Sequence, residues 1–233
     1  MTTFPDIIVI ILAGGKGKRM ESDLPKVMHR LAGKPIIRHV TDTLQSLGFA
    51  GIVMVVGYGR ELLFDEYRDE EIELAVQEKQ LGTGDAVKAA AAHFADFSGD
   101  VLIVLGDVPL LRRESIVRLI EEHRRSAVAA TVLTSILDNP GGYGRIVCGA
   151  DGLVKKIVED ADASSEELRI KEINTGIMIF DAGSLRIALD KIDCNNTQGE
   201  YYLTDAVRVL LDMGKRTGAV TLADYREALG INS

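Results

Sequence analysis

Unbroken apolar runs constrain this chain more than any other feature of its sequence. Ile7, Ile8, Val9, Ile10, Ile11 and Leu12 stand side by side with no polar interruption. A strand with one wet face alternates apolar and polar residues, so a run without alternation reads as a strand buried on both faces. Further strand-length segments follow at residues 52–56, 72–76, 101–105 and 129–133. Helical stretches separate them. One opens at Pro35, carries Ile36, Ile37, Val40, Leu44 and Leu47 on one face and closes at Gly48. Others cover 61–67, the Ala-rich 85–94 and 115–123. This alternation predicts an α/β chain with a mostly parallel sheet and helices on both faces. The rhythm changes after Asn139. Short strands at 145–147 and 153–158 flank the turn dipeptide Asp151-Gly152, and 170–180 is a longer strand. Thr204 is placed to cap a helix carrying Val207, Leu210 and Leu211, with Gly214 after it. The second half thus reads as a β-rich lobe inserted into, or leaning on, the first sheet.

Open α/β sheets bind ligands beyond the carboxyl ends of their strands, which directs attention to the loops after Leu12, Val76 and Leu105. After Leu12 comes Ala13-Gly14-Gly15-Lys16-Gly17-Lys18-Arg19-Met20. Its three glycines let backbone N–H groups approach an anion closely, and its cations add attraction. It is not a Walker A loop, because no Ser or Thr follows Gly17-Lys18. It is not a dinucleotide fingerprint, because Met20 stands at the third glycine position. Asp23-Leu24-Pro25-Lys26 closes the loop with a further cation. After Val76 comes Gln77, whose amide can donate and accept together at the edge of a pyrimidine base. Gly82, Thr83 and Gly84 then open a helix with free N–H groups. After Leu105, Gly106-Asp107 puts a carboxylate at a strand end, where it can hold Mg²⁺ against phosphate oxygens. In the second half, Gly142-Tyr143-Gly144-Arg145 is a glycine turn, Glu159 ends a strand, and Asn174-Thr175 places polar groups inside an apolar strand. Buried polar groups need partners, and several together suit the hydroxyls of a sugar. Each segment taken singly also fits an ordinary turn, cap or surface charge.

Bulk properties remove other classes. With 27 Lys and Arg against 35 Asp and Glu the net charge is −8, which argues against nucleic-acid polymers and anionic membranes as partners. The positive charge is nonetheless local. Lys16, Lys18, Arg19, Lys26 and Arg30 outnumber Glu21 and Asp23 across the glycine loop, which suits a small polyanion. No apolar run approaches the roughly 18–20 residues of a membrane span, and the N-terminus lacks the pattern of a signal peptide. Cys148 and Cys194 form no CxxC motif, and the four histidines form no cluster. Reduced thiols in the cytoplasm are the expectation.

Taken in order, these segments resemble the N-terminal domains of the bifunctional bacterial N-acetylglucosamine-1-phosphate uridyltransferases, a family of sugar nucleotidyltransferases. The resemblance runs through Leu12-Ala13-Gly14-Gly15-x-Gly17-x-Arg19-Met20, Leu24-Pro25-Lys26 and Gln77-x-x-Gln80-Leu81-Gly82-Thr83-Gly84. It continues through Gly106-Asp107-Val108-Pro109-Leu110, Gly142-Tyr143-Gly144-Arg145-Ile146 and Glu172-Ile173-Asn174-Thr175-Gly176. The run from Asn195 to Asp205 and the terminal Gly230-Ile231-Asn232 complete it. It implies a Rossmann-like nucleotide-diphospho-sugar transferase fold with a sugar-binding lobe. It implies transfer of uridylyl from UTP to N-acetylglucosamine 1-phosphate with release of pyrophosphate. By resemblance Leu12, Ala13, Gly14, Gly15, Gly82 and Thr83 hold the nucleotide and Gln77 meets the uracil. Arg19 and Lys26 face the phosphates as catalytic cations beside Asp107. Leu105, Gly106, Gly144, Glu159, Asn174, Tyr202 and Thr204 line the sugar site, and Asp107 and Asn232 hold Mg²⁺. Three positions depart from the family pattern: Lys18 stands for the usual Thr, Asp85 for the usual His, and Leu105 for a frequent aromatic residue. A related enzyme using another sugar or dTTP, and a non-catalytic sugar-nucleotide-binding protein, are the alternatives. The expected organisation is one domain over 1–233, with a nucleotide-binding half at 1–138 and a sugar-binding half at 139–233. The family's β-helix acetyltransferase domain is not expected here. Because that domain carries the family's trimer contacts, a monomer or weak homo-oligomer is expected.

Overall fold

A computed structural model describes residues 3–17 and 20–231 of the chain. Among these residues eleven strands and six α-helices follow in order. The first half contains β1 (Thr3–Leu12), β2 (Arg30–Leu31), β3 (Lys34–Pro35), α1 (Ile36–Gln45), β4 (Gly48–Val56), α2 (Arg60–Glu66), β5 (Glu73–Val76), α3 (Thr83–Ala89), β6 (Asp100–Leu105), α4 (Arg113–Ser126) and β7 (Ala130–Ile136). The second half contains β8 (Arg145–Cys148), β9 (Val154–Val158), β10 (Glu172–Asp181), α5 (Ala182–Lys191), α6 (Thr204–Asp212) and β11 (Thr217–Thr221). The main sheet has the order β11-β7-β10-β6-β1-β4-β5, with β8 and β9 attached beside β10. Strands β6, β1, β4 and β5 are parallel to one another, whereas β10 runs antiparallel to both β6 and β7.

The unbroken apolar runs have the physical cause inferred for them. Side chains along a strand point alternately to opposite faces. Ile7, Val9 and Ile11 join one buried cluster with Ile37, Val40 and Leu44 of α1, Leu63 of α2 and Ile116, Leu119 and Ile120 of α4. Ile8 and Ile10 join a second cluster with Val87 of α3, Leu185 and Leu189 of α5, and Val207 and Leu210 of α6. The sheet is therefore covered on both faces, and residues 7–11 of β1, lying between β6 and β4, leave no polar position to spare.

Several local expectations are corrected. Gly48 does not end α1, which stops at Gln45. Leu47 N–H bonds the Leu44 carbonyl, and Gly48 already begins β4. The Ala-rich helix is shorter than residues 85–94. α3 ends at Ala89, and residues Ala91–Phe94 tighten into a 3₁₀ turn. Thr204 is not a cap but the first residue of α6, and its hydroxyl donates to Glu159 instead. Of the two placements expected for the second half, the fold takes insertion, since β10 lies between β6 and β7 of the main sheet. Helix α5 and strand β11 add to the expected elements. No described helix is long and apolar enough to cross a membrane.

Candidate active site

Strands β1, β4, β5 and β6 run parallel, so their carboxyl ends share one edge of the sheet. The loops leaving that edge enclose a cleft of about 700 Å³. Leu12, Ala13, Gly14, Gly15, Lys16 and Gly17 line it from β1, Tyr58 from β4, Gln77, Gln80, Gly82 and Thr83 from β5, and Leu105 and Asp107 from β6. A smaller cavity of about 190 Å³ adjoins it, sharing Leu12, Thr83 and Leu105 as walls. Its other walls include Gly142, Gly144, Glu159, Asn174, Gly176 and Thr204. Most of the residues singled out from sequence therefore converge on two connected spaces.

The glycine loop is held by backbone contacts that exclude side chains. Tyr58 N–H donates to the Gly14 carbonyl at 3.2 Å, and a Cβ on Gly57 would stand 2.8 Å from that oxygen. Lys16 reaches across to Tyr58, its Nζ 4.8 Å from the ring centre, a cation–π contact at the cleft wall. Gly17 has φ of +67° and packs on Lys26, where a Cβ would come within 2.7 Å of the Lys26 Cβ. The turn thus fixes Lys26 at the cleft, where its ammonium pairs with the Asp107 carboxylate.

Asp107 is the meeting point of β6 and the C-terminal segment. Its carbonyl accepts from Ile231 N–H at 3.0 Å, and Gly230 packs so closely that a Cβ would lie 3.2 Å from Oδ2. Glu227, buried in that segment, accepts from Arg112 N–H at 3.0 Å and ties it to the loop after β6. Among the described residues no group of three or more His, Cys, Asp or Glu is arranged as a metal cage. A single carboxylate at the wall of an open cleft fits a hard ion such as Mg²⁺, which keeps much of its shell from water and phosphate oxygens. Arg19 and Asn232, together with Lys18, lie outside the described residues.

Gln77 is buried, and its Nε2 donates to the Gly82 carbonyl at 3.1 Å and to Asp85 Oδ2 at 2.7 Å. Both N–H groups of the amide are thereby engaged. Its Oε1 faces Gly14, where a Cβ would stand 2.9 Å away. The amide therefore meets the cleft as an acceptor only, not as the donor–acceptor pair its chemistry allows.

Around the smaller cavity, β10 breaks register between Asn174 and Met178, with Gly176 at φ +79°. Asn174 Oδ1 accepts from Gly176 N–H at 2.9 Å, and the Thr175 hydroxyl donates to the Leu133 carbonyl at 2.7 Å. Part of the polar signal in this strand thus serves the bulge itself. A Cβ on Gly176 would strike Leu105 Cδ1 at 2.7 Å, so this glycine makes room for the side chain separating the two cavities. Glu159 Oε1 accepts from the Thr204 hydroxyl at 2.8 Å. Burial pushes the Glu159 carboxyl above its ordinary range, and nearby Asp162, Asp205 and Asp160 push it the same way against that hydrogen bond. Arg145 is fully buried beneath the turn, donating to the Tyr143 carbonyl and to Asp160 Oδ1.

Two expected site residues lie elsewhere. Gly106 lines neither cavity. Its N–H donates to the Leu12 carbonyl at 2.9 Å, and Ile37 occupies the space a Cβ would need. Tyr202 also lines neither. Its hydroxyl is buried with no partner among the described residues, and burial with nearby carboxylates raises it to about 12. Tyr58 and Glu200 line the cleft without having been singled out. Tyr58 follows a parallel strand, a position the strand-end rule already marks. Glu200 arrives through a distant loop clamped on residues 81–84. Tyr201 N–H donates to the Leu81 carbonyl at 2.8 Å, Gly84 N–H to the Tyr201 carbonyl at 2.8 Å, and Leu203 N–H to Thr83 Oγ1 at 3.0 Å. Nothing local in the sequence announces that contact.

Known proteins resemble this chain in fold and in sequence. The fold matches UDP-glucose pyrophosphorylase, solved in complex with UDP-glucose, with a TM-score of 0.73 at 16% identity over 94% of this chain and 91% of that one. The bifunctional protein GlmU of Clostridium beijerinckii is 47% identical over 224 residues, 96% of this chain and 49% of its own length. Those of Caldanaerobacter subterraneus and Enterococcus faecalis are 45% and 46% identical, over 98% and 96% of this chain and 49% and 48% of theirs. The chain thus spans about half the length of these relatives. Residues 9–170, which run from the central strand through the glycine loop, the Gln77 turn and Asp107 to the edge of β10, match the MobA-like NTP transferase domain, and it is to this family that the chain belongs.

Proposed function

We propose that this chain transfers uridylyl from UTP to N-acetylglucosamine 1-phosphate, giving UDP-N-acetylglucosamine and pyrophosphate. The observation that carries this reading is the pair of connected cavities. One is ringed by the glycine loop with Lys16, Lys26, Asp107 and Glu200, and the other sets Glu159, Asn174, Thr175 and Thr204 among the apolar walls Leu12, Leu105, Met178 and Leu203. A nucleoside triphosphate suits the first and a sugar the second, with Leu12, Thr83 and Leu105 at the junction where the two phosphates meet.

The sugar phosphate is already a nucleophile, so the chain needs no general base. Its task is alignment and charge neutralisation at the α-phosphate. Gly14, Gly15 and Gly17 offer backbone N–H groups to the triphosphate, and Lys16 adds charge. Lys26 exchanges its Asp107 partner for phosphate oxygens as the charge on the leaving pyrophosphate grows, joined by Arg19. Glu159, Asn174 and Thr204 orient sugar hydroxyls. Asp107, with Asn232 as the second ligand the resemblance implies, would hold Mg²⁺, which would supply neutralisation of phosphate charge.

The test is a screen of four NTPs against several sugar 1-phosphates in Mg²⁺, read as released pyrophosphate. UTP with N-acetylglucosamine 1-phosphate is expected to be the preferred pair. Preference for another pair overturns the substrate assignment, and binding of UDP-sugar without turnover overturns catalysis. Within this reading, Asp107→Ala is expected to lower turnover ~10²-fold or more while circular dichroism and melting temperature stay close to the parent. Undiminished turnover in that variant would remove Asp107 from the reaction.

A further inference from the structure

Asp85 has no role in the chemistry above, yet its carboxylate is spent on a single side chain. It lies in the first turn of α3, where an acidic residue ordinarily complements free backbone N–H groups. Here Oδ2 instead accepts from Gln77 Nε2 at 2.7 Å. A carboxylate only accepts, and so does the Gly82 carbonyl, the other partner of Nε2 at 3.1 Å. The orientation of the Gln77 amide is therefore dictated by its partners. The NH₂ must face Asp85 and Gly82, and Oε1 must face Gly14 and the cleft. Turning the amide over would set its oxygen against two other acceptors, one of them charged.

We propose that Asp85 is a positioning residue for base selection. It locks Gln77 as an acceptor, so that the cleft favours a pyrimidine whose N3 carries a proton. This inference rests on the nucleotide reading of the cleft given above. Uracil and thymine present N3–H to Oε1, whereas cytosine presents a lone pair there. The lock therefore separates UTP from CTP and is blind to the difference between UTP and dTTP. The two N–H groups of Gln77 stay with the protein and read nothing.

The experiment compares kcat/KM for UTP, dTTP and CTP with one sugar 1-phosphate in the parent, Asp85→Ala and Asp85→Asn. Removing the charged acceptor leaves the amide held by Gly82 alone. The UTP-to-CTP preference is expected to fall about tenfold in Asp85→Ala, the weight of one hydrogen bond to a charged group. The UTP-to-dTTP ratio is expected to stay unchanged. Asp85→Asn, which keeps a carbonyl acceptor and the side-chain volume, is expected to lose less of the preference. It also decides the matter if the alanine variant does not fold. General loosening of α3 would lower all three substrates together and leave both ratios where they were. Parental ratios in a folded variant therefore overturn the proposal. If the parent itself turns over no pyrimidine nucleotide, the transferase reading has failed instead. Calorimetric binding of the same three nucleotides then tests the lock on its own, with the same ratios expected and the same result overturning it.

Discussion

Glu159 illustrates a conflict between binding and stability carried by one residue. Its carboxyl is pushed above 4.5, chiefly by burial, with three aspartates adding to it. A carboxyl raised in the folded state stabilises the protein below its unfolded value, and that contribution is lost as pH rises through the folded value. At neutral pH the ionised Glu159 is therefore a cost to the fold. Glu159→Gln keeps an acceptor for the Thr204 hydroxyl and removes the charge. The variant is expected to melt higher than the parent at pH 7.5, with the gain shrinking as pH falls through the raised folded value toward 4.5 and the parent carboxyl becomes protonated. Melting temperatures across that range check it, and an unchanged value at pH 7.5 contradicts it. Tyr202 is a second case. Its buried hydroxyl has no partner among the described residues, so Tyr202→Phe removes an unsatisfied group. It is expected to be neutral or stabilising by up to ~1 kcal/mol in urea unfolding. A rise in KM for the sugar phosphate in this variant would restore Tyr202 to the sugar site.

At the scale of elements, the site depends on two places where the backbone leaves regular geometry. The first is the entry to α3. Gly82 has φ of +115°, and a Cβ there would lie 2.4 Å from the Tyr201 carbonyl oxygen, a backbone atom with little freedom to yield. Gly82→Ala combines a left-handed backbone with that clash. It is expected to cost ~2 kcal/mol or more and lower the melting temperature by several degrees. The loop at 198–203 is expected to show faster amide exchange as its clamp on residues 81–84 loosens. The second place is the bulge of β10, whose Asn174 and Thr175 satisfy displaced backbone groups while Gly176 yields to Leu105. From sequence, the polar residues in this strand point to a ligand. In the fold they first solve the strand's own hydrogen-bonding problem, while Asn174 still lines the smaller cavity.

The whole molecule is a sheet sandwiched between two helical layers, and the strands that carry the site contribute to both buried clusters. Ile10 is fully buried in the cluster shared with α3, α5 and α6. Ile10→Ala removes its buried methyl and methylene groups and leaves a cavity at the sheet centre. It is expected to destabilise by ~2–5 kcal/mol in denaturant titration. Because Leu12, two residues on, walls both cavities, the same variant is expected to weaken nucleotide binding as well. A variant that loses stability with no change in binding would show the edge of the sheet to be rigid independently of its middle.

Period and turn chemistry are local properties. The apolar runs, the helical faces and the glycine loop, together with the strand-end positions of Gln77 and Asp107, were therefore legible in the residues alone. So was the concentration of cations across residues 16–30. What the residues could not express is which distant segments meet. The insertion of β10 between β6 and β7, the docking of Ile231 on Asp107 and the clamp of residues 200–203 on α3 arise from contacts across long stretches of chain. The same is true of which face a polar group turns to a ligand. Gln77 carries a donor and an acceptor in any sequence reading. Only the placement of Gly82 and Asp85 against its NH₂ leaves the oxygen for the cleft, because a hydrogen bond already made within the protein is not available to a ligand.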